Sequence, residues 1–151
     1  KALAVLGKVD GIGLGAHDVH TGILQHGANI IVQLVDEHIC GGFLRCLHDS
    51  GNALLDPVSG DSVLIAPAAR LAPLFPGCED ELSSTDCTRL ISLPQLSGKM
   101  RLIPYSAVGT ESGMLAAFRP DAVYVDGEQR DDVIVAVSPT PLGGDGFDSI
   151  I

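Results

Sequence analysis

Apolar residues in this chain come in short runs between turn residues, and helix-period spacing is scarce. Ile30 to Val35 predicts a strand, Asp36-Glu37-His38 a turn, and Ile39 to His48 a returning strand that delivers Asp49. Pro57-Val58-Ser59-Gly60 predicts a turn and Ser62 to Ile65 a short buried strand. Pro67 to Leu74 predicts a helical turn or short helix, ended by Pro76-Gly77. The acidic, polar stretch Cys78 to Thr88 reads as a surface excursion, the most dispensable segment. Ile91 to Leu93 predicts a brief strand, and Met100 to Val108 a strand broken by Pro104. Gly109-Thr110-Glu111-Ser112-Gly113 predicts a hairpin tip, with Met114 to Phe118 returning from it. Val123 to Val125 alternates into Asp126-Gly127, a strong hairpin signal. Val133 to Val137 is continuously apolar, as a central strand would be, and Phe147 to Ile151 begins a terminal helix or strand. The sum is a mostly β domain of many short strands over residues 29–151, a barrel or orthogonal sandwich. Residues 1–28 read as a flexible arm or connector.

Composition sharpens this picture. Hydrophobic residues make up 46% of 151 residues, ample for one core, but aromatics are only 4%, so the core must be aliphatic. The net charge of −10 argues against a nucleic-acid partner and against adsorption to anionic lipid; it would attract a basic peptide, simple solubility being the more ordinary reading. No stretch reads as a signal peptide or as a membrane span of about 18 apolar residues. Cys40, Cys46, Cys78 and Cys87 form no Cys-x-x-Cys, and nothing marks the chain as secreted, so reduced thiols are expected. Cys78 and Cys87, flanking the acidic loop, are the pair that oxidation could join.

The candidate chemistry is the tetrapeptide Asp49-Ser50-Gly51-Asn52 at the end of an apolar run. A strand ending in Asp-Ser-Gly sets a carboxylate at the floor of a cleft, with a hydroxyl to brace the loop and a glycine to turn it. Asp-Ser-Gly is also a common turn tripeptide. The triplet occurs once, and acid chemistry of this kind uses two carboxylates sharing a proton. On this reading the active form is a symmetric dimer. Gly109 to Gly113 sits where a flap would close over bound peptide, an ordinary surface hairpin being the alternative.

Three blocks carry a family resemblance: His48 to Asn52 followed by Asp56-Pro57; Arg101 to Gly109; and Ile134 to Leu142. With Phe118-Arg119-Pro120-Asp121, they resemble the peptidase domain of the sporulation sigma-E factor-processing peptidases, the stage II sporulation protein GA family. The resemblance runs from about Ile30 onward. It implies a pepsin-like or retropepsin-like half-barrel, one lobe per chain. It implies an aspartic endopeptidase, active as a homodimer, with Asp49 catalytic and Ser50, Gly51 and Asn52 supporting the loop. It also implies removal of the N-terminal pro-segment of pro-sigma-E, activation by a signalling protein secreted from the forespore, and a membrane-anchored parent with this domain on the cytoplasmic side of the sporulation septum. No cofactor and no metal is called for. Val133 to Val137 would be the inner strand behind the catalytic loop.

Two other classes compete with this reading. One is a catalytically silent β domain that dimerises or binds a signalling partner. The other is a metallohydrolase using His38, His48, Cys40 and Cys46, brought together across the first hairpin, although no recognised ligand spacing supports it. His17 and His20 have no third ligand near them. Gly11 to Gly15 lacks the flanking strand and helix of a phosphate loop, and no Gly-x-Ser-x-Gly elbow exists.

Overall fold

The computed structural model describes residues 30–37, 39–48, 54–96, 98–107, 110–142 and 146–151; the arm expected over 1–28 lies outside them. The strands are β1 (Ile30–Asp36), β2 (Ile39–Leu47), β3 (Ser62–Pro67), β4 (Met100–Ala107), β5 (Thr110–Phe118), β6 (Ala122–Val125), β7 (Glu128–Arg130), β8 (Val133–Ser138) and β9 (Ser149–Ile150). They form one curled sheet in the order β4-β5-β8-β3-β9-β2-β1-β6-β7. This is the mostly β half-barrel that the resemblance implied, with a few short helices where one or two were expected.

β3 and β8 lie side by side in parallel, and every β8 residue is buried. Their side chains alternate between two apolar clusters. Val63, Ile65, Ile134 and Ala136 face one; Leu64, Ala66, Val133 and Val135 face the other. Burial on both faces accounts for the uninterrupted apolar runs. β1 and β2 pair antiparallel, but Ile30 meets Cys46 while Val35 meets Cys40, so β2 holds one extra residue opposite Leu34. Gly41 and Gly42 form this bulge. A side chain at Gly41 would crowd Leu74, whose Cδ2 lies 3.2 Å from where a Cβ would stand. Between β6 and β7, Asp126 (φ 50°) and Gly127 (φ 86°) both take left-handed conformations, the requirement of a two-residue hairpin turn.

Three expectations are corrected. Pro104 does not break β4: the ladder runs through it, Pro104 opposite Met114. β4 is a sheet edge, and an edge tolerates a residue with no N–H to give. Ile91 ends a helix rather than opening a strand. The stretch from Cys78 onward is no dispensable excursion. It forms α2 (Glu79–Leu82) and α3 (Thr88–Ile91), following α1 (Ala68–Leu71). Helices of one turn have no stability of their own. They are held because Cys78, Leu82 and Leu90 are almost fully buried in the larger cluster, each leucine adding about 1.5–3 kcal/mol by its removal from water. Phe75 and Phe118 meet edge to face there, centroids 4.8 Å apart.

Candidate active site

Asp49, Ser50, Gly51 and Asn52 lie outside the described residues; what the structure describes is their frame. On the entering side β2 ends at Leu47. It is flanked by β9 in parallel, Cys46 opposite Ser149 and Leu47 opposite Ile150, and the Ile151 amide donates to the Leu47 carbonyl at 3.0 Å. β9 pairs on its other side with β3, Ile150 opposite Ile65. The strand against β2 is therefore β9. Beyond β9 come β3 and then β8, which stands two strands further out. On the leaving side Leu54 is buried and its carbonyl accepts the Val63 amide at 3.2 Å.

Immediately after Leu54 and Leu55, Asp56 turns its carboxylate inward. Oδ1 accepts the Val58 amide at 3.2 Å. Oδ2 accepts the Ser59 hydroxyl at 2.8 Å and the Arg101 guanidinium at 2.7 Å. Burial pushes this carboxyl up, but the Ser59 hydroxyl, the Val58 amide and Arg101 together outweigh it and hold the group below its ordinary range. Arg119 reaches Asp61 on the same turn and donates to the Asp131 carbonyl at 3.0 Å. The residues around Asp56-Pro57, Arg101 and Phe118 to Asp121 that carried the resemblance thus include one connected cluster around the loop following Asp49.

The candidate flap is the β4–β5 hairpin. Thr110 to Gly113 belong to β5, so the connection is the residue pair 108–109, outside the described residues. Gly113 stands opposite Tyr105, whose ring crosses it; an added Cβ would lie 2.7 Å from the Tyr105 hydroxyl oxygen. β5 pairs with β8 only at Ala117 and Phe118. Where the two strands part, an apolar recess of about 210 Å³ opens, with Tyr105, Met114, Leu90, Val137 and Pro139 among its walls.

The four residues of the metallohydrolase alternative do not converge. The bulge puts Cys40 in solvent and Cys46 in the core, His48 is exposed, and His38 lies outside the described residues. Among the described residues no group of three potential ligands comes together. All four thiols are free. Burial, reinforced by the charge of Asp148, pushes the Cys46 thiol up to about 12.

The electrostatics are acidic. Arg70, Lys99, Arg101, Arg119 and Arg130 are all committed to carboxylates. Asp36, buried at the end of β1, is met by Lys99 at 2.5 Å. Burial nevertheless raises its carboxyl above the ordinary range, against the pull of Lys99. Sequence reasoning missed Arg70 and Asp148. Both nitrogens of Arg70 that face Asp148 share its Oδ2, and Asp148 Oδ1 accepts the Arg45 amide. A lone Arg on a one-turn helix and an Asp before a two-residue strand give no period to read.

Residues 25–147 match the family profile described as Sporulation factor SpoIIGA. The chain belongs to that family. The Sporulation sigma-E factor-processing peptidase of Bacillus subtilis (strain 168) is 32% identical over 145 residues, covering 89% of this chain and 46% of that protein. A Putative sporulation sigma factor-processing peptidase of Bacillus thuringiensis subsp. kurstaki is 38% identical over 112 residues, 68% of this chain and 64% of that protein. The corresponding peptidase of Priestia megaterium (strain ATCC 12872 / QMB1551) is 33% identical over 107 residues, 66% of this chain and 34% of that protein. The chain thus spans about half the length of the Bacillus subtilis relative. Among the described residues no helix is long and apolar enough to cross a membrane.

Proposed function

We propose that this SpoIIGA-family chain is an aspartic endopeptidase domain that works as a symmetric homodimer and removes the N-terminal pro-segment of a sporulation sigma factor precursor. The observation that carries the reading is the frame around residues 49–53. A strand pinned by β9 leads into Asp49-Ser50-Gly51, and an exposed turn tied to the buried Asp56 carboxylate leads out. The names of the relatives support the choice of substrate. In the dimer, Asp49 of each copy meets the other, and one of the two carries a proton because like charges in contact cannot both ionise cheaply. The ionised partner takes a proton from a water lying between them. That water attacks the scissile carbonyl while the protonated partner gives its proton to the carbonyl oxygen. Ser50 braces the paired loops, Gly51 permits their close approach, Asn52 fixes the loop or meets substrate, and the β4–β5 hairpin closes over the peptide, with Gly109 to Gly113 as the flap. The acidic surface suits a basic peptide segment. The full-length parent is read as membrane-anchored at the sporulation septum, with a secreted forespore protein as activator.

The test is co-expression of the full-length protein with its precursor substrate and activator, with wild type, Asp49→Ala and Asp49→Asn compared by immunoblot. Precursor should persist uncleaved in both variants at unchanged enzyme level. Cleavage by either variant rejects Asp49, and uncleaved precursor with every form favours the silent interaction domain.

A further inference from the structure

β9 has a topological role out of proportion to its two residues. In the sheet order, β4-β5-β8-β3 lies on one side of it and β2-β1-β6-β7 on the other. No strand of one half pairs directly with a strand of the other, so β9 is the hydrogen-bonded join among the described residues. Whatever fixes β9 against β2 also fixes where β2 ends, two residues short of Asp49.

We propose that Asp148, held by Arg70, is the positioning residue that sets the register of β9 on β2 and through it the placement of the Asp49 loop; this rests on the aspartic peptidase reading. Asp148 uses both oxygens and its backbone. Oδ2 accepts Arg70 Nε at 2.9 Å and Nη2 at 2.6 Å, while Oδ1 accepts the Arg45 amide at 3.1 Å and the Ser149 hydroxyl at 3.0 Å. Its own amide donates to the Arg45 carbonyl at 2.9 Å. Arg70 Nη2 also donates to the Phe43 carbonyl at 3.1 Å, so α1, β2 and β9 meet at one carboxylate. An ordinary surface ion pair contributes little, and Arg70 is half exposed. The geometry asks for more than charge here: donors approach both oxygens, and an acceptor-only group is needed on each side. In Asp148→Asn one side presents an NH₂ to a donor whichever way the amide turns.

Three variants test this: Asp148→Asn, Arg70→Gln, and the reversed pair Arg70→Asp/Asp148→Arg. Backbone amide exchange by NMR reads the Ile151 amide, which donates to Leu47, with Val135 in β8 as the internal control. Asp148→Asn should speed Ile151 exchange about tenfold and leave Val135 unchanged, with Arg70→Gln in the same direction and smaller. Cleavage of the sigma factor precursor should lose about tenfold or more in kcat with KM within about twofold, since the acid is displaced while the substrate surface is not. The reversed pair should restore neither, because it returns the charges and not the acceptors. Unchanged Ile151 exchange in Asp148→Asn overturns the proposal, as does a reversed pair that rescues both readouts. If wild type cleaves and kcat is unmoved despite faster exchange, the link to Asp49 fails. If wild type cleaves nothing under activating conditions, the peptidase reading fails and Ile151 exchange alone decides whether Asp148 sets the β9 register. Should Asp148→Asn not fold, Arg70→Gln, a change at a half-exposed site, carries the same exchange comparison.

Discussion

Asp56→Asn should cost about 2–3 kcal/mol at neutral pH, and the structure says why it is not more. The Asp56 side chain is fully buried, and its nearest partners are the Ser59 hydroxyl and Arg101. Taking one member from a buried ion pair costs about 3–5 kcal/mol when the other is left stranded. Arg101 keeps 38% of its side-chain surface in water, and the turn that supplies the Val58 amide is exposed, so both can rehydrate. The loss therefore falls to the range of charged hydrogen bonds, about 2–3 kcal/mol, equivalent to a melting point lower by about 4–12 °C in a domain of this size. The sign of the pH dependence follows from the depressed carboxyl. Folding favours the ionised form, so its contribution is complete above the unfolded carboxylate value of about 3.9 and is lost as pH falls through the lower folded value. Urea unfolding followed by far-ultraviolet circular dichroism, at neutral pH and at about pH 3, measures both quantities. A variant within about 0.5 kcal/mol of wild type at neutral pH, or a deficit that does not shrink in acid, would refute the reasoning.

Two further outcomes follow from burial. Lys99→Met should destabilise by about 3–5 kcal/mol, because Asp36 is buried with Lys99 as its compensating cation. Asp36 already has a raised carboxyl, so its protonation relieves the stranded charge; the deficit should narrow as pH falls through that raised value, and a deficit that widens in acid contradicts this. Leu90→Ala should cost about 2–4 kcal/mol by calorimetry or urea unfolding, whereas a dispensable surface segment would lose almost nothing.

What could be read from the sequence divides along a physical line. β1, β2 and β8 announce themselves because a strand buried on one or both faces needs an apolar pattern long enough to count, and Asp126-Gly127 does so because few residues take two positive φ angles in succession. The strand that runs toward Asp49 was legible for the same reason, ending two residues before it. The helices α2 and α3 were hidden because each buries a single residue, Leu82 behind three acids and Leu90 between Arg89 and Ile91, and one buried residue per turn-length helix has no period. Pro104 misled because tolerance of proline depends on being a sheet edge, a property of topology and not of neighbouring residues. β9 escaped for a harsher version of the same reason: two residues carry no alternation, and its importance comes wholly from the two strands it joins.

That last point bears on how a catalytic loop can be made in this fold. The contact that holds β2 at its functional end joins Arg45 to Asp148, 103 residues apart. Closing so long a loop costs more entropy than closing a hairpin, so contact-order reasoning places the β2–β9 register late in folding, an order that φ-value analysis at Ile150 tests. The β1–β2 hairpin, built from neighbours in sequence, supplies a strand end before it supplies a fixed position for Asp49. Fixity comes only when Ile150 enters between Leu47 and Ile65 and Asp148 finds Arg70. On the dimeric aspartic-peptidase reading proposed above, Asp49 has to meet its twin within proton-sharing reach, and a frame that is merely folded nearby does not suffice. Making that frame depend on the most distant pairing in the sheet means that a partly folded chain does not hold the acid in place.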